Sequence, residues 1–267
     1  MKILFLAQHK WPHIGGVEKH IRAVSEELRK KNYDVKIISE EDIKYPKIKF
    51  LGLLYIWFWL FKNRNLITGS HLVHIHDVFV WYLPFRFLYP RKPVFTTFHG
   101  WEGVYPIPWK NIFLKRIANR LSWASIVIGK YIEKYYGIKA NRIMYGGTRQ
   151  KALGTRKIKN MIVWLGRQDK DTGINEFKKW IKKQNKKYLV TYVSNELNPE
   201  KYLRKAEYCV PGGYLSYIEA KSYGSKIMTF ANNPLKEDYW NEIRLVKNFP
   251  TWGKVADEYI NLYNSIK

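Results

Sequence analysis

Two glycine-containing segments in the second half of the sequence have residue types that suit phosphate binding. Gly166 and Arg167 follow a predicted apolar strand, and Gly212 and Gly213 precede a predicted helix that carries Glu219. A guanidinium group and the amide groups of a helix N-terminus both favour anions, so together they suit a pyrophosphate. A carboxylate one or two turns into such a helix can accept hydrogen bonds from the vicinal hydroxyls of a ribose or a sugar. The alternatives are a surface ion pair for the arginine and an ordinary surface position for the glutamate.

A third glycine segment, Gly15 and Gly16, lies between the first predicted strand and the first predicted helix. A glycine turn at this place lets a phosphate or a sugar approach the backbone and the helix amides, although a plain turn is the alternative. The sequence contains neither G-x-G-x-x-G nor G-x-x-x-x-G-K-[ST]. A dinucleotide fingerprint and a P-loop are therefore excluded.

All seven histidines lie within the first hundred residues, and His9, His76 and His99 come at or near the carboxyl ends of predicted strands. His74 and His76 share one face of their strand, because side chains alternate with period two. A His-x-His pair can be half of a metal site, but the sequence offers no matching carboxylate and third ligand. We predict no metal and expect these side chains to form a hydrogen-bonded polar rim around a substrate.

The elements that must position these residues alternate between short apolar strands and longer amphipathic helices. Strands are predicted at 2–8, 33–39, 71–77, 93–99, 125–129 and 142–145, and again at 161–165, 188–194, 207–210 and 226–230. Helices are predicted at 17–31, 79–88, 109–122, 174–183, 199–205, 214–223, 236–243 and 255–266, with a short one ending at 136. This alternation predicts an α/β fold in which helices cover parallel sheets.

The segment 146–159 is rich in Gly, Thr and Lys and poor in large apolar residues, which predicts a linker between domains. We therefore expect a first Rossmann-like domain at 1–150 and a smaller one at 151–250. A last helix within 251–267 is expected to pack back on the first domain. Two such domains face each other across a cleft, and ligands of open α/β sheets bind beyond the carboxyl ends of the strands.

The composition is strongly basic, with 47 Lys and Arg against 22 Asp and Glu in 267 residues, a net charge of +25. Residues 1–150 carry 25 basic and 10 acidic side chains and residues 151–267 carry 22 and 12, so there is no basic tail. A folded body with a positive field attracts polyanions such as nucleic acid, anionic lipid or a phosphate-bearing substrate, and a solvated lysine-rich surface is the alternative.

Hydrophobic residues make up 46% of the chain and aromatic residues 16%, which excludes disorder. The single cysteine, Cys209, excludes an intramolecular disulfide framework and favours a reducing compartment. The apolar run at 1–6 is too short for a signal peptide, and the run at 51–61 falls short of the roughly 20 residues that span a bilayer. The expected location is therefore the cytoplasm.

Taken together, five segments resemble the retaining nucleotide-sugar glycosyltransferases of family 4, which have the two-domain GT-B fold. The opening KILFLAQH with GGVEKHI resembles the first strand, glycine loop and first helix of that family. LVHIHD and PVFTTFHG are similar to its paired strand ends at the cleft. GRQDKDTGI resembles its Gly-Arg-x-x-x-x-Lys-Gly pyrophosphate-binding element, and GYLSYIEAKSYGSKIM resembles its ribose-binding helix.

The resemblance implies a role for each matching residue. The donor would be bound by Gly15, Gly16, Arg167, Gly212, Gly213 and Glu219, with Glu219 on the ribose hydroxyls and the first two glycines facing the donor phosphates or the acceptor. The catalytic residues would be His99, beside the transferred sugar, and Arg167, which would stabilise the leaving diphosphate. His76 and Asp77 would lie on the acceptor side. The resemblance also implies retention of configuration without a metal or other cofactor, because basic groups and helix dipoles take up the developing charge.

Two positions depart from the family pattern. Thr172 stands where the family usually has the lysine of the pyrophosphate-binding element, so one positive charge is missing unless Lys170 or another lysine replaces it. Pro211 stands where the family often has a glutamate that contacts the donor sugar. Because of these departures, a protein that has lost catalytic activity is an open alternative.

Two aromatic segments bear on the acceptor. The segment 53–61, LLYIWFWLF, is interpreted first as a helix packed into the first domain, and alternatively as a helix in a membrane interface beside Lys49, Lys62 and Arg64. The segment 80–92 adds further aromatic and basic residues. If the two share a face, the first domain could dock on the anionic inner face of a membrane as a peripheral protein, which would suit a lipid-linked acceptor.

Three hypotheses follow from the sequence. The first is a metal-independent glycosyltransferase of hexosyltransferase type, which moves a sugar from a nucleotide donor to a glycan, lipid or protein with retention. The second is a non-catalytic nucleotide-sugar-binding or glycan-binding protein with the same fold. The third, a nucleic-acid-binding protein, rests on the net charge alone, and no recognition motif supports it, so no nucleic-acid partner is expected.

Overall fold

A computed structural model describes residues 1–100, 103–148 and 156–265, and for residues 49 and 50 the backbone alone. The chain forms two parallel β-sheets. The first contains β1 (Lys2–Ala7), β2 (Asp34–Ile38), β3 (Leu72–His76), β4 (Val94–Phe98), β5 (Ala124–Val127) and β6 (Arg142–Ile143). The second contains β7 (Ile158–Leu165), β8 (Leu189–Val193), β9 (Ala206–Pro211) and β10 (Lys226–Ile227).

Helices connect and cover the strands. Those among the strands of the first sheet are α1 (Gly16–Lys30), α2 (Glu40–Ile43), α3 (Lys49–Lys62), α4 (Asn65–Thr68), α5 (Phe79–Leu88), α6 (Trp109–Leu121) and α7 (Lys130–Tyr136). The later ones are α8 (Ile174–Lys182), α9 (Glu200–Leu203), α10 (Tyr214–Ser222), α11 (Pro234–Leu245) and α12 (Trp252–Asn264). A 3-10 turn at Lys170–Thr172 precedes α8.

The strand orders place a topological switch in each sheet. The first sheet has the order β2-β1-β3-β4-β5-β6 and the second β10-β9-β7-β8, and all pairings are parallel. The chain therefore leaves β1 to one side for β2 and returns to its other side for β3. It does the same around β7, with β8 on one side and β9 on the other. The predicted α/β class, with two Rossmann-like sheets of which the second is smaller, is confirmed.

The first sheet is covered on both faces, as its apolar strands require. Ile3 and Phe5 of β1 pack on the face covered by α1 and α12, whereas Leu4 and Leu6 pack on the opposite face. Helix α1 buries Ile21, Val24 and Leu28, which recur at helical spacing and produce its strongly amphipathic pattern.

The two halves of the chain share part of their core. Tyr214 and Tyr239 of the second half stack with ring centroids 3.8 Å apart, and Tyr131 of α7 contacts both rings edge-on. Glu242 of α11 accepts hydrogen bonds from the backbone N–H groups of Lys130 and Tyr131 at the start of α7. Helix α12, which follows the second sheet in sequence, packs on α1 at the start of the chain. The predicted domain division at residue 150 lies outside the described residues and stays a prediction.

The observed elements differ from the predicted ones mainly in short turns and at sheet edges. The helix α2 follows Ser39, whose backbone N–H donates to the Asp42 carboxylate at 2.9 Å, a capping box that ends β2 sharply. The predicted strands 142–145 and 226–230 contain only two paired residues each, and both β6 and β10 lie at a sheet edge. Within the described residues, no helix combines the length and the apolar character needed to cross a membrane.

Candidate functional site

The predicted site residues gather at the carboxyl ends of the strands beside the two topological switches. His76 and Asp77 end β3, next to β1 and the loop that leads to Gly15. Gly166 and Gly212 end β7 and β9, which pair with each other. Open α/β sheets bind ligands at these positions, because the connecting segments diverge there and leave a crevice.

The histidines at the end of the first sheet contact one another. His76 Nδ1 and His99 Nε2 are hydrogen-bonded at 2.9 Å, and which of them donates depends on the tautomers. His76 is buried, and its Nε2 has no hydrogen-bond partner among the described residues. Burial and the nearby Lys115 ammonium lower the pKa of His99 to about 3, and burial lowers the pKa of His76 well below its usual range. Both rings are therefore neutral at physiological pH and act as hydrogen-bond partners.

Asp77 fixes the loop that carries His99. Its backbone is left-handed, with φ of 62°, a conformation that Asp tolerates better than most residues. Its carboxylate accepts hydrogen bonds from the His99 backbone N–H at 3.1 and 3.2 Å and from Lys115 Nζ at 2.9 Å. The two predicted residues thus form one unit with Lys115, a buried lysine that sequence reasoning did not select.

A buried polar network packs against these strand ends. The His74 ring is hydrogen-bonded through Nδ1 to the Tyr263 hydroxyl and through Nε2 to the Thr97 hydroxyl, each at 2.7 Å. The Tyr259 hydroxyl lies 3.0 Å from Thr97 Oγ1 and 2.9 Å from His20 Nε2. Helix α12, at the end of the chain, therefore orders the carboxyl ends of β3 and β4. His74 has no metal-ligand role in this arrangement, as its two ring nitrogens are engaged.

The glycine loop before α1 is occupied by a carboxylate. A Cβ on Gly15 would lie 2.2 Å from Glu18 Oε2, whereas a Cβ on Gly16 would meet nothing within 4 Å. Glu18 is 7% exposed, and its carboxylate lies 3.3 Å from His13 Nδ1. An anionic group at this place disfavours a phosphate beside Gly15 and favours a hydroxyl donor. Sequence reasoning missed Glu18, although an acidic residue in the first turn of a helix is a recognisable signal.

At the second sheet the backbones of two glycines touch. A Cβ on Gly166 would lie 2.9 Å from Gly212 Cα, and Gly166 has φ of 143°, which side-chain-bearing residues rarely adopt. This contact brings the segment with Arg167 against the start of α10 at Gly213. Arg167 is hydrogen-bonded to Asp169 and, at 3.0 Å, to Asp171 Oδ2. Its side chain remains 64% exposed, so the guanidinium is accessible to a ligand.

Glu219 lies in the second turn of α10 and faces the other half of the chain. Its carboxylate forms an ion pair with Lys19 of α1, with side chains 24% and 37% exposed. The first turn of α1 and the helix α10 therefore approach each other across the space between the two sheets. The predicted donor-binding residues of the second half and the loop of Gly15 and Gly16 thus border the same region.

The two positions that depart from the family pattern have structural partners of their own. Thr172 is buried, and its hydroxyl donates to the Asp169 carbonyl at 2.6 Å, so it contributes no positive charge. Pro211 ends β9 beside Leu165 and supplies no carboxylate. A cation that sequence reasoning missed lies nearby: Lys236 of α11, 3% exposed, with Nζ 3.4 Å from the Gly212 carbonyl. Nothing in its local sequence, NNPLKEDYW, distinguishes it from a surface lysine.

One group in the described part of the chain has metal-ligand geometry. His9, Glu40 and Glu41 each place a ligand atom within 4.8 Å of the others. His9 Nδ1 lies 2.8 Å from Glu40 and 3.1 Å from Glu41, and Glu40 also accepts from Lys47 and Tyr45. These contacts are those of a half-buried ion-pair cluster. A metal-independent reaction stays a prediction.

Three neighbouring helices expose large aromatic side chains. Helix α3 buries Ile56 and Leu60 but exposes 64% of Phe58, so the segment 53–61 is packed on one side and open on the other. Helix α5 lies against α3 and α6, and the most exposed aromatic residues of α5 and α6 are Phe87 at 68% and Trp109 at 78%. The two aromatic segments are thus adjacent, and α6 extends them.

The comparisons with known proteins agree with this geometry. Residues 14–145 match the family model for Glycosyltransferase Family 4, and no curated protein matches the chain significantly. The crystal structure of Anabaena HepE in complex with UDP and glucose is similar with a TM-score of 0.63 and 12% identity, over 96% of this chain and 88% of that one.

Two further solved structures show the same fold. A glycosyltransferase from Rickettsia africae has a TM-score of 0.58 at 12% identity, over 98% of this chain and 88% of that one. The UDP-GlcNAc 2-epimerase from Neisseria meningitidis bound to UDP-GlcNAc also has a TM-score of 0.58 at 12% identity, over 99% and 100% of the two chains. Residues 14–145 thus belong to glycosyltransferase family 4, and the two parallel sheets shared with these structures give the chain the GT-B fold.

Proposed function

We propose that the chain is a glycosyltransferase that moves a hexose-type sugar from a nucleoside diphosphate to a glycan, lipid or protein acceptor, with retention and without a metal ion. The observation that carries this proposal is the junction of Gly166 and Gly212, which places an exposed arginine and a helix N-terminus at one switch point. The UDP and UDP-sugar bound to structures of the same fold support a nucleotide-sugar donor.

The second half would bind the donor. Arg167 would leave Asp169 and Asp171 to pair with the pyrophosphate, and the first amides of α10, after Gly213, would donate to its oxygens. Glu219 would separate from Lys19 and accept hydrogen bonds from the ribose hydroxyls instead. As the bond between the anomeric carbon and the diphosphate oxygen breaks, negative charge grows on the leaving group, and these fixed positive groups stabilise it.

The first half would bind the acceptor and the transferred sugar. His76, Asp77 and His99 form a connected unit at the strand ends, with neutral imidazoles that can hydrogen-bond sugar hydroxyls without a proton transfer. Of the two predicted ligands for Gly15 and Gly16, the buried Glu18 carboxylate favours acceptor hydroxyls over donor phosphates. Sugar hydroxyls are suitable partners because they donate to carboxylates.

The test is a thermal-shift screen of the chain against a panel of nucleoside diphosphates and nucleotide sugars. At least one should raise the melting temperature, because a ligand that binds the folded state stabilises it. Arg167→Ala should abolish the shift, whereas Arg120→Ala, which removes an exposed arginine of α6, should leave it unchanged. The absence of a shift with every nucleotide would count against the proposal.

A second candidate function has its own supporting observations. Thr172 and Pro211 lack the charged groups usual at their positions, which suits a protein that binds a nucleotide sugar without transferring the sugar. Slow hydrolysis of the bound nucleotide sugar, lost in Glu219→Ala, would exclude this candidate. Tight binding without any turnover, with every acceptor tested, would favour it.

The exposed aromatic residues of the adjacent helices α3, α5 and α6 support an acceptor at an anionic membrane surface. Phe58, Phe87 and Trp109 point to solvent, and exposed basic residues such as Lys62 and Arg91 flank them. Aromatic side chains enter the headgroup zone while basic ones contact anionic lipid.

This part of the proposal is tested by sedimentation with phosphatidylglycerol vesicles. The chain should bind them in a salt-dependent manner. The double variant Phe58→Ser, Phe87→Ser should bind less, and the control Leu197→Ser, an exposed apolar residue of the second half, should bind like the wild type. A failure of the wild type to bind at low salt would contradict the membrane part while leaving the donor site untouched.

A further inference from the structure

Lys236 occupies an unusual position for a lysine. It is 3% exposed and lies in the first turn of α11, where its backbone N–H donates to the side chain of Asn233, the helix N-cap, at 2.9 Å. Its Nζ lies 4.2 Å from the ring centroid of Tyr239 and 4.8 Å from that of Trp240. Lysine is almost never buried to this extent unless its charge is paired.

The ammonium group reaches the junction of the two glycine segments. Its Nζ lies 3.4 Å from the carbonyl of Gly212, whose Cα packs against Gly166, the residue before Arg167. Lys236 thus approaches from α11 the same point that Arg167 approaches from β7. Burial is the main cause that lowers the pKa of Lys236; of the two nearby charges, the Asp171 carboxylate raises this pKa and the Arg167 guanidinium lowers it, so the two cations interact.

The surroundings stabilise the positive charge only in part. Burial is the main influence and lowers the pKa of the Lys236 ammonium to about 8. The aromatic rings of Tyr239 and Trp240 attract a cation, and the Gly212 carbonyl accepts at the outer limit of hydrogen-bond distance. Two neighbouring cations at a helix N-terminus are best neutralised by an anion with several oxygen atoms.

We infer that Lys236 is the second cationic group for the donor pyrophosphate, in partnership with Arg167. Thr172, at the position where the family pattern has a lysine, is buried and hydrogen-bonded to the Asp169 carbonyl. The charge missing there is supplied from α11 instead. This inference rests on the proposed function and names one more binding residue of that site.

The experiment measures binding of inorganic pyrophosphate by isothermal titration calorimetry, a probe that does not depend on the donor base. Lys236→Met keeps the apolar stem against Tyr239 and Trp240 but removes the charge, and it should weaken binding roughly 10- to 100-fold. Lys247→Met, at an exposed position, makes the same change in net charge and should weaken it less than about twofold. Equal binding by these two variants would overturn the inference.

Two further readouts separate a binding role from a structural one. Lys236→Met should melt at the same temperature as the wild type or higher, because it removes a buried charge. Wild-type affinity should fall between about pH 7 and about pH 9 as Lys236 loses its proton, and Lys236→Arg should bind with a flatter pH profile. Arg167, Asp171 and Tyr239 face this ammonium and are common to both proteins, so the difference reports on position 236.

The outcomes distinguish the inference from the proposed function. If the wild type binds a nucleoside diphosphate but Lys236→Met binds pyrophosphate as Lys247→Met does, only the inference fails. If the wild type binds neither pyrophosphate nor any nucleoside diphosphate, the proposed function fails and the inference falls with it.

Discussion

Lys19 and Glu219 form an ion pair that joins the first helix of the chain to the helix after β9. The two residues are 200 positions apart; Lys19 lies in the first turn of α1, and Glu219 lies in the second turn of α10. The carboxylate proposed to bind the donor ribose is therefore engaged by a lysine of the opposite half. Ligand binding at Glu219 requires this pair to separate.

Removing the lysine should consequently strengthen donor binding. Lys19→Met leaves Glu219 without a competing ammonium, and because partly exposed ion pairs contribute about 0.2 to 1 kcal/mol, the affinity for the best nucleoside diphosphate should rise up to about fivefold. Isothermal titration calorimetry measures this change. Lys31→Met, which breaks the exposed pair with Asp257 at the other end of α1, is the control and should have no effect. Weaker binding by Lys19→Met would mean that Lys19 itself contacts the donor.

The strand ends that carry the site were predictable from the sequence because the apolar runs are short and are followed at once by polar or glycine residues. His76, Asp77, Gly166 and Gly212 all lie at the ends where the pattern placed them. The strand order was not predictable, since the pattern of one strand says nothing about its neighbours. The meeting of β7 with β9, which creates the glycine junction, is therefore a result of the structure alone.

Residues that act through distant contacts escaped sequence reasoning. Lys236 and Lys115 resemble surface lysines in a chain with 47 basic residues, and only their burial separates them from the rest. The partnership of His74 with Tyr263 spans 189 positions and depends on the return of α12 to the first sheet. Packing between remote segments decides such contacts, and local pattern carries no information about them.

The buried histidines should make the protein unstable in acid. Burial lowers the pKa values of His20, His74 and His76 well below their usual range and that of His99 to about 3. Below about pH 6.5 these histidines bind protons in the unfolded chain but not in the folded chain. The free energy of unfolding therefore falls by up to about 1.4 kcal/mol per pH unit for each histidine. Above that pH the histidines contribute no slope. Urea denaturation between about pH 7 and about pH 4.5 measures the effect.

A variant isolates one histidine in that series. His74→Gln should be less stable at neutral pH, because the His74 ring is hydrogen-bonded through both nitrogens. In acid, however, its free energy of unfolding should fall less steeply with pH than that of the wild type, because one buried histidine no longer contributes to the slope. An unchanged slope in His74→Gln would show that this ring is already protonated when folded.

The contact of Gly166 with Gly212 should not tolerate a side chain. Gly166→Ala would place Cβ 2.9 Å from Gly212 Cα on a backbone with φ of 143°, and this combination should cost about 2 to 4 kcal/mol of unfolding free energy. Gly16→Ala is the matched control, because its Cβ meets nothing within 4 Å and alanine favours the helix that begins there. Denaturation midpoints of the two variants should move in opposite directions. Equal stability of both variants would argue against the close approach of β7 and β9.

The hydroxyl of Tyr263 should contribute measurably to the stability of the first sheet. Tyr263→Phe keeps the buried ring but leaves His74 Nδ1 without its 2.7 Å partner in a site that is closed to water, which should cost about 1 to 3 kcal/mol. Because His74 also contacts Thr97 beside the strand end that leads to His99, donor binding by the second half should be unaffected while any transfer to an acceptor slows. Tyr192→Phe, at a tyrosine 40% exposed, should change stability by less than about 0.5 kcal/mol. A loss for Tyr263→Phe no larger than that of the control would mean that packing alone, without the hydrogen bond, holds α12 on the first sheet.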